Sequence, residues 1–329
     1  MAGRRGEKQR TRRLRAAVAV LGACLLFEGG LRVVLGNFAQ SRVLQRSSDP
    51  AVCLELRPSV DVTYTGWLLR VPATRMRTNR LGGRGAEVGP KVEGRLRIAA
   101  FGDSFTFGQG VEEDESWPSA MGAALRAAGT DVEVLNFGVP GHGTPQAVAH
   151  AERLAVEVDA DLVLLAVFTN DLSPQDSYCG YGEGDSAIAR RLQQSVYIAR
   201  LLRIVVGPLL GGPARPQGAA PPEERFQEAL AALDAKAGTS GFRAAAVLLS
   251  DRASYAAEPW CDGCTPPHDL LNPDGPVAID MSSTWPVLVD HRDRYFLRGE
   301  EHLSAAGNRV LGEGVAEALT KRPKLLTPR

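Results

Sequence analysis

The chemistry in this 329-residue chain starts where an apolar run breaks off. The stretch FGDSFTFGQG, residues 101–110, closes the run from Arg97 to Phe101 with Gly-Asp-Ser and then scatters more glycines. A serine at such a junction is either a turn residue or a nucleophile. A hydroxyl attacks poorly unaided, so the second reading needs a base. Five histidines are present, and His302 stands just before the last helical pattern, with Glu300 and Glu301 beside it. His142 is either a site-rim residue or part of a glycine loop. His150 falls in a helical pattern and reads as structural, and His268 and His291 have no evident partners. Two more polar landmarks follow apolar runs: the stretch from Asn136 to Gly141, and the pair Asn170-Asp171. Asn136 reads best as a group that satisfies strand-end backbone, and Asp171 as one that orders its loop.

Strands and helices must bring these together. Leu96–Phe101 reads as a strand, and a helix follows over about Trp117–Ala128, with Ser116 as cap, Pro118 in its first turn and Gly129 at its end. Trp117, Met121, Leu125 and Ala128 give that helix an apolar stripe. Val132–Phe137 is a second strand and about Pro145–Val158 a second helix. The run from Asp161 to Asp171 is apolar enough for a central parallel strand buried on both faces. Helices are predicted over 187–206 and Glu223–Asp234, with a Pro/Gly loop between them and a strand from Phe242. Residues 251–284 read as irregular, and Trp285–Asp290 and Arg294–Leu297 as short strand-like pieces. A final helix over about Ala305–Leu319 has Ser304 as its cap. This alternation predicts a three-layer α/β/α domain with a mainly parallel sheet. Its sites should gather at the carboxyl ends of the strands. Ser104, Gly138–Gly141 and Asn170-Asp171 each sit just past a strand.

Four stretches in order, Gly102-Asp103-Ser104, Asn136 to Gly141, Asn170-Asp171 and Glu301 to Gly307, resemble those of the SGNH hydrolase superfamily, the GDSL-type esterases and lipases. The resemblance covers roughly residues 95–320. The stretch from Arg77 to Gly85 also looks like that of membrane-anchored bacterial members. The resemblance implies Ser104 as nucleophile and His302 as base and then acid. It implies an oxyanion hole from the backbone N–H groups of Ser104 and Gly141 and the Asn170 amide. Many members place Asp three residues before the histidine, where this chain has Gly299. Glu300, two before, is the preferred orienting acid, a spacing found in alginate-acetyltransferase-like relatives, with Glu301 and Asp293 as rivals.

Lys plus Arg equals Asp plus Glu at 38 each, but residues 1–15 hold seven basic residues against one acidic. That leaves 31 basic against 37 acidic, a net of −6 on the body, which argues against a nucleic-acid binder. The basic tail precedes an apolar run from Ala16 to Phe27. That layout predicts a single transmembrane signal-anchor, N-terminus inside, with the catalytic body outside the cytoplasm, periplasmic or extracellular. A cleaved signal is one rival. A lipoprotein site at Leu21–Cys24, with Cys24 lipidated, is another. Cys53, Cys179, Cys261 and Cys264 form an even set that fits two disulfides in an oxidising compartment, with the pairing open. No metal site or cofactor is expected, since Cys261-x-x-Cys264 has no second pair. Expected boundaries are 1–36 for the N-terminal anchor, 37–94 for a stalk and lead-in, 95–322 for the hydrolase domain and 323–329 for a tail.

Three functions compete. The first is a serine esterase acting through an acyl-serine on a small-molecule or glycan ester, such as O-acetyl groups of a cell-surface glycan. The second is a glycan O-acetyltransferase using the same acyl-enzyme, with a partner protein as acyl donor. The third is a non-catalytic binding protein on a degenerate hydrolase scaffold.

Overall fold

A computed structural model describes residues 15, 18–30, 43–66, 71–172, 221–257, 265–271 and 275–329. The chain divides into two compact units, Met1–Phe38 with Gly182–Ala214, and Ala39–Tyr181 with Arg215–Arg329. In the first, residues 18–30 are helical, and Val18, Val20, Leu21, Leu25, Leu26 and Phe27 are exposed. Among the described residues, no helix is long and apolar enough to cross a membrane. Most of the expected anchor, and the whole expected helix over 187–206, lie outside the described residues.

The second unit is built on five parallel strands: β5 (Leu96–Gly102), β6 (Val132–Gly138), β7 (Leu162–Val167), β8 (Arg243–Leu248) and β9 (Val277–Asp280), in the order β6-β5-β7-β8-β9. β7 is the middle strand, and every residue in it is buried. That is why its sequence is continuously apolar rather than alternating. On β5, successive side chains serve opposite cores. Leu96, Ile98 and Ala100 pack with Trp117, Met121 and Leu125 of helix α2 (Trp117–Ala127) and with Leu311, Val315 and Leu319 of helix α7 (Ala305–Thr320). Ala99 and Phe101 pack with Ala151 and Leu154 of helix α3 (Thr144–Glu157) and with Phe226 and Leu233 of helix α4 (Pro222–Ser240). Helices therefore cover both faces of the sheet, and the fold is the three-layer α/β/α class.

Two antiparallel hairpins precede the sheet, β1 (Leu44–Arg46) with β2 (Leu54–Leu56), and β3 (Asp61–Gly66) with β4 (Val71–Arg77). Val43, Leu56 and Met76 from this region share a small core with Phe107, Val139 and Leu297. The hairpins thus pack on the loops that follow β5 and β6.

The structure corrects four local expectations. Residues 251–284 are not wholly irregular, because they contain the edge strand β9. Trp285–Asp290 is a helix, α5, rather than a strand, and Arg292–Tyr295 is a second short one, α6. Trp285 and Leu288, three apart, are the buried residues of α5, and Pro286 lies in its first turn. That is a helical face with a helix-start proline, and it outweighs the β-branched residues. Helix α4 runs past Asp234 to Ser240, where Gly241 in a left-handed conformation stops it. Finally, Ser116 occupies the cap position of α2 without capping it. Its hydroxyl donates to Glu113 O at 2.9 Å, while the Trp117 N–H donates to Asn308 Oδ1 of α7 at 3.0 Å. Cys53 is disulfide-bonded, Cys24 is free, and the other three cysteines lie outside the described residues.

Candidate active site

Ser104 opens a four-residue helix, α1 (Ser104–Phe107), directly after β5. Asp103 caps it by accepting the Phe105 N–H on Oδ1 at 2.9 Å, and Gly108, with φ +80°, ends it. The neighbouring strand holds this turn closely. A Cβ on Gly138 would lie 2.2 Å from Phe107 N and 2.6 Å from Thr106 C, so the approach requires glycine. Asn136 spans the same junction. Its Nδ2 donates to Thr106 O at 2.8 Å, and its Oδ1 accepts the Gly138 N–H at 2.9 Å.

His302 arrives from the other end of the sequence. The Leu297 N–H donates to His302 O at 2.8 Å, and Phe296 and Leu303 form a bridge around this turn. Ser304 then caps α7 by accepting the Gly307 N–H. The placement puts His302 Nε2 2.8 Å from Ser104 Oγ and His302 Nδ1 3.2 Å from Glu300 Oε2. A carboxylate only accepts, so Nδ1 carries the proton and Nε2 presents its lone pair to the serine hydroxyl. The Phe105 ring lies 5.2 Å from the His302 ring and 3.8 Å from that of Phe168, and this apolar flank fixes the imidazole. Glu301 and Asp293 are exposed.

The other expected residues sit at the same edge of the sheet. Gly141, with φ +89°, lies in the turn after β6. Asn170 lies in the 3-10 turn Thr169–Leu172 that follows β7. Asp171, next to it, is buried, and its Oδ2 accepts the Phe168 N–H at 3.0 Å and the Thr144 hydroxyl at 3.4 Å.

His142 is not a rim residue. It is 3% exposed, and its Nε2 lies 2.7 Å from Leu54 O. Burial pushes its pKa down to about 4, so it is a neutral tie between the turn after β6 and strand β2. His150 is buried with its ring edge-on to Phe101. His268 does have partners, Ser282 Oγ at 3.1 Å and Asp280 Oδ1 at 3.4 Å. Trp117 and Trp285 are packing residues of the first core, and Trp67 and Trp260 lie outside the described residues.

Arg84 is the residue that sequence reasoning passed over. Its guanidinium is buried and donates to the carbonyls of Phe107 and Gly108, both at 2.6 Å, and of Val111 at 2.5 Å. Three carbonyls of the loop after Ser104 are held by one cation. Burial lowers its pKa to about 10, against the pull of Glu113 and Glu112, and it stays charged. Its only signal in the sequence was its place in the glycine-rich stretch from Arg77 to Gly85.

A family model described as GDSL-like Lipase/Acylhydrolase matches residues 100–310. An arylesterase of Vibrio mimicus is 33% identical over 75 residues, which are 23% of this chain and 38% of that protein. The chain thus matches well under half the length of that relative. Among solved structures, a lipolytic protein of the G-D-S-L family from Veillonella parvula is similar at 18% identity. It covers 69% of this chain and 99% of its own, with a TM-score of 0.39. The psychrotrophic esterase EstA from Pseudoalteromonas sp. is 12% identical over 69% of this chain and 98% of its own, with a TM-score of 0.41.

Proposed function

Because the chain belongs to the GDSL-like lipase/acylhydrolase family, and is accordingly a serine hydrolase acting on ester bonds, we propose that it works through an acyl-serine formed on Ser104. One observation carries this reading: the unbroken chain from Ser104 Oγ to His302 Nε2, and from His302 Nδ1 to Glu300, at 2.8 and 3.2 Å.

Ser104 Oγ attacks the ester carbonyl as its proton passes to His302 Nε2. The negative charge moves to the carbonyl oxygen, where the N–H groups of Ser104 and Gly141 and the Asn170 amide would receive it. A donor of that kind is worth roughly 3 kcal/mol in the transition state. The intermediate collapses, the alcohol leaves with the proton from His302, and the acyl group stays on Ser104. Water then attacks with His302 again as base, and the acid is released. Glu300 stabilises the imidazolium and fixes its orientation without leaving its carboxylate form.

We place the substrate outside the cytoplasm, as O-acetyl groups of a cell-surface glycan. The basic tail, the exposed apolar side chains of helical residues 18–30 and the disulfide at Cys53 support an anchored, extracytoplasmic enzyme. Intact-mass analysis of the full chain with a fluorophosphonate probe tests the nucleophile. One adduct on wild type, absent from Ser104→Ala and strongly slowed in His302→Ala, is the expected result. No adduct on folded wild type would refute the mechanism. Release of free acetate from an acetylated glycan, rather than transfer to an added acceptor glycan, separates hydrolysis from acyl transfer.

A further inference from the structure

Two carboxyl groups lie behind the nucleophile, one adjacent in sequence to Ser104 and the other adjacent to Asn170. Asp103 and Asp171 are 3% and 6% exposed. They follow β5 and β7, which are neighbouring parallel strands. Each carboxyl has one engaged oxygen, Asp103 Oδ1 on the Phe105 N–H and Asp171 Oδ2 on the Phe168 N–H and the Thr144 hydroxyl. The other oxygen of each, Asp103 Oδ2 and Asp171 Oδ1, is buried and receives no hydrogen bond of ordinary geometry. The charged groups that bear on the pair are few. The charge of His302 bears on Asp103, and that of Asp103 on Asp171, while the Thr144 hydroxyl of α3 donates to Asp171. No cation among the described residues forms an ion pair with either. Two ionised carboxylates left this way, each with a bare buried oxygen, would carry a heavy desolvation cost.

We propose that Asp103 and Asp171 share one proton, a hydroxyl on one carboxyl donating to the free oxygen of the other, and that this bond positions the oxyanion donors around Ser104. The link would join three segments at once. Asp103 starts the turn that presents the Ser104 N–H. Asp171 sits in the turn that carries Asn170. Thr144 begins α3, three residues after Gly141. All three segments would move together or not at all. Burial, and the charge each presents to the other, push the Asp171 carboxyl well above the usual carboxylate range. Burial also raises Asp103, against the backbone N–H groups of Phe105, Thr106 and Asp103 itself and against any positive charge that His302 takes up. Both directions favour the shared proton, and a pair held this way gives it up as pH climbs. The positioning role rests on the acyl-serine reading above, whereas the shared proton does not.

The test combines infrared difference spectra with pH profiles on the full chain. Wild type at neutral pH should show a protonated-carboxyl stretch that is missing from both Asp103→Asn and Asp171→Asn. Ester turnover by wild type should fall on the alkaline side as the pair gives up its proton. An amide at position 171 supplies an N–H at every pH. Asp171→Asn should therefore lose that alkaline fall and keep at least about tenfold more kcat than Asp171→Ala, with KM little altered. Absence of the protonated stretch in wild type overturns the proposal. So does an Asp171→Asn enzyme with the wild-type alkaline limb and no advantage over alanine. The stretch should persist in Ser104→Ala. If it does while that variant still turns over ester, the acyl-serine reading falls and takes the positioning role with it, leaving the shared proton intact.

Discussion

Replacing Glu300 by glutamine removes one charge from the site and almost no volume. The pair it breaks spans 3.2 Å, and its side chains are 18% and 13% exposed for His302 and Glu300. When His302 takes the serine proton, the imidazolium gains an attraction to Glu300 that the neutral ring does not have. At this distance the Coulomb energy is about 5 kcal/mol with an effective dielectric of 20 and about 1.3 kcal/mol in bulk water. The contact is longer than the ~2.7–2.9 Å of a tight charged hydrogen bond, which places the useful part between those limits, at about 2–3 kcal/mol. Glu300→Gln should therefore lower kcat roughly 30- to 160-fold with little change in KM, because the charge acts in the transition state rather than on bound substrate. The fluorophosphonate labelling rate should fall in step. Glu301→Gln and Asp293→Asn, at exposed positions, should stay near wild type. A Glu300→Gln enzyme within about twofold of wild type in both kcat and labelling rate would refute Glu300 as the orienting acid, since 2 kcal/mol is far more than a factor of two.

Arg84→Met should leave the carbonyls of Phe107, Gly108 and Val111 without their donor and cost about 3 kcal/mol or more, read as a fall in the denaturant midpoint. Gly138→Ala should drive a Cβ into the backbone of α1, lowering stability by roughly 3 kcal/mol and labelling at Ser104 with it. The protein should also lose stability in mild acid. His142 is held at about 4 in the folded state against an ordinary value of 6.5, so the unfolded chain binds its proton first as pH falls through that window. The loss approaches about 3 kcal/mol, with the buried His150 acting in the same direction, and His142→Asn should flatten the slope of unfolding free energy against pH. Asp161 adds to the loss at lower pH. Burial works to raise its carboxyl, but Lys91 and the N–H groups of Arg97 and Arg329 outweigh burial and hold it below the usual range. Its contribution is present above the ordinary carboxylate pKa and disappears as pH drops through the lowered one. Asp161→Asn should accordingly unfold at a lower denaturant concentration than wild type at neutral pH and differ less from it in acid.

The strands that carry the site were readable because burial writes them plainly. β7 is apolar at every position, and β5 and β6 both end in glycine at the point where the chain must turn sharply. β9 was not readable. It has four residues and lies at an edge, and its apolar run, Val277–Ile279, is too short to tell a strand from a loop. Trp285–Asp290 is ambiguous in sequence, since Val287 and Val289 suit a strand and only packing reveals the three-residue spacing of Trp285 and Leu288. His142 and Arg84 were misjudged or missed for a different reason. Their partners are backbone carbonyls of Leu54, Phe107, Gly108 and Val111, and no side-chain pattern announces a carbonyl. Ser104 and His302 stand beside elements that are clear in the sequence, but their pairing, and the choice of Glu300, rest on the resemblance of four ordered motifs to the hydrolase family rather than on local signals.

Ser104 and His302 are separated by 198 residues, and the helix after His302 supplies the Asn308 oxygen that closes the start of α2. During synthesis, β5, β6 and β7 leave the ribosome long before either partner does. A nascent chain at that stage carries Ser104 with an ordinary, unreactive hydroxyl and an α2 whose first N–H has no acceptor. Docking of α7 delivers the base and the missing acceptor in one event. Reactivity at Ser104 therefore reports completion of the fold, and an incompletely made or misfolded copy is chemically silent toward esters in the cell that makes it.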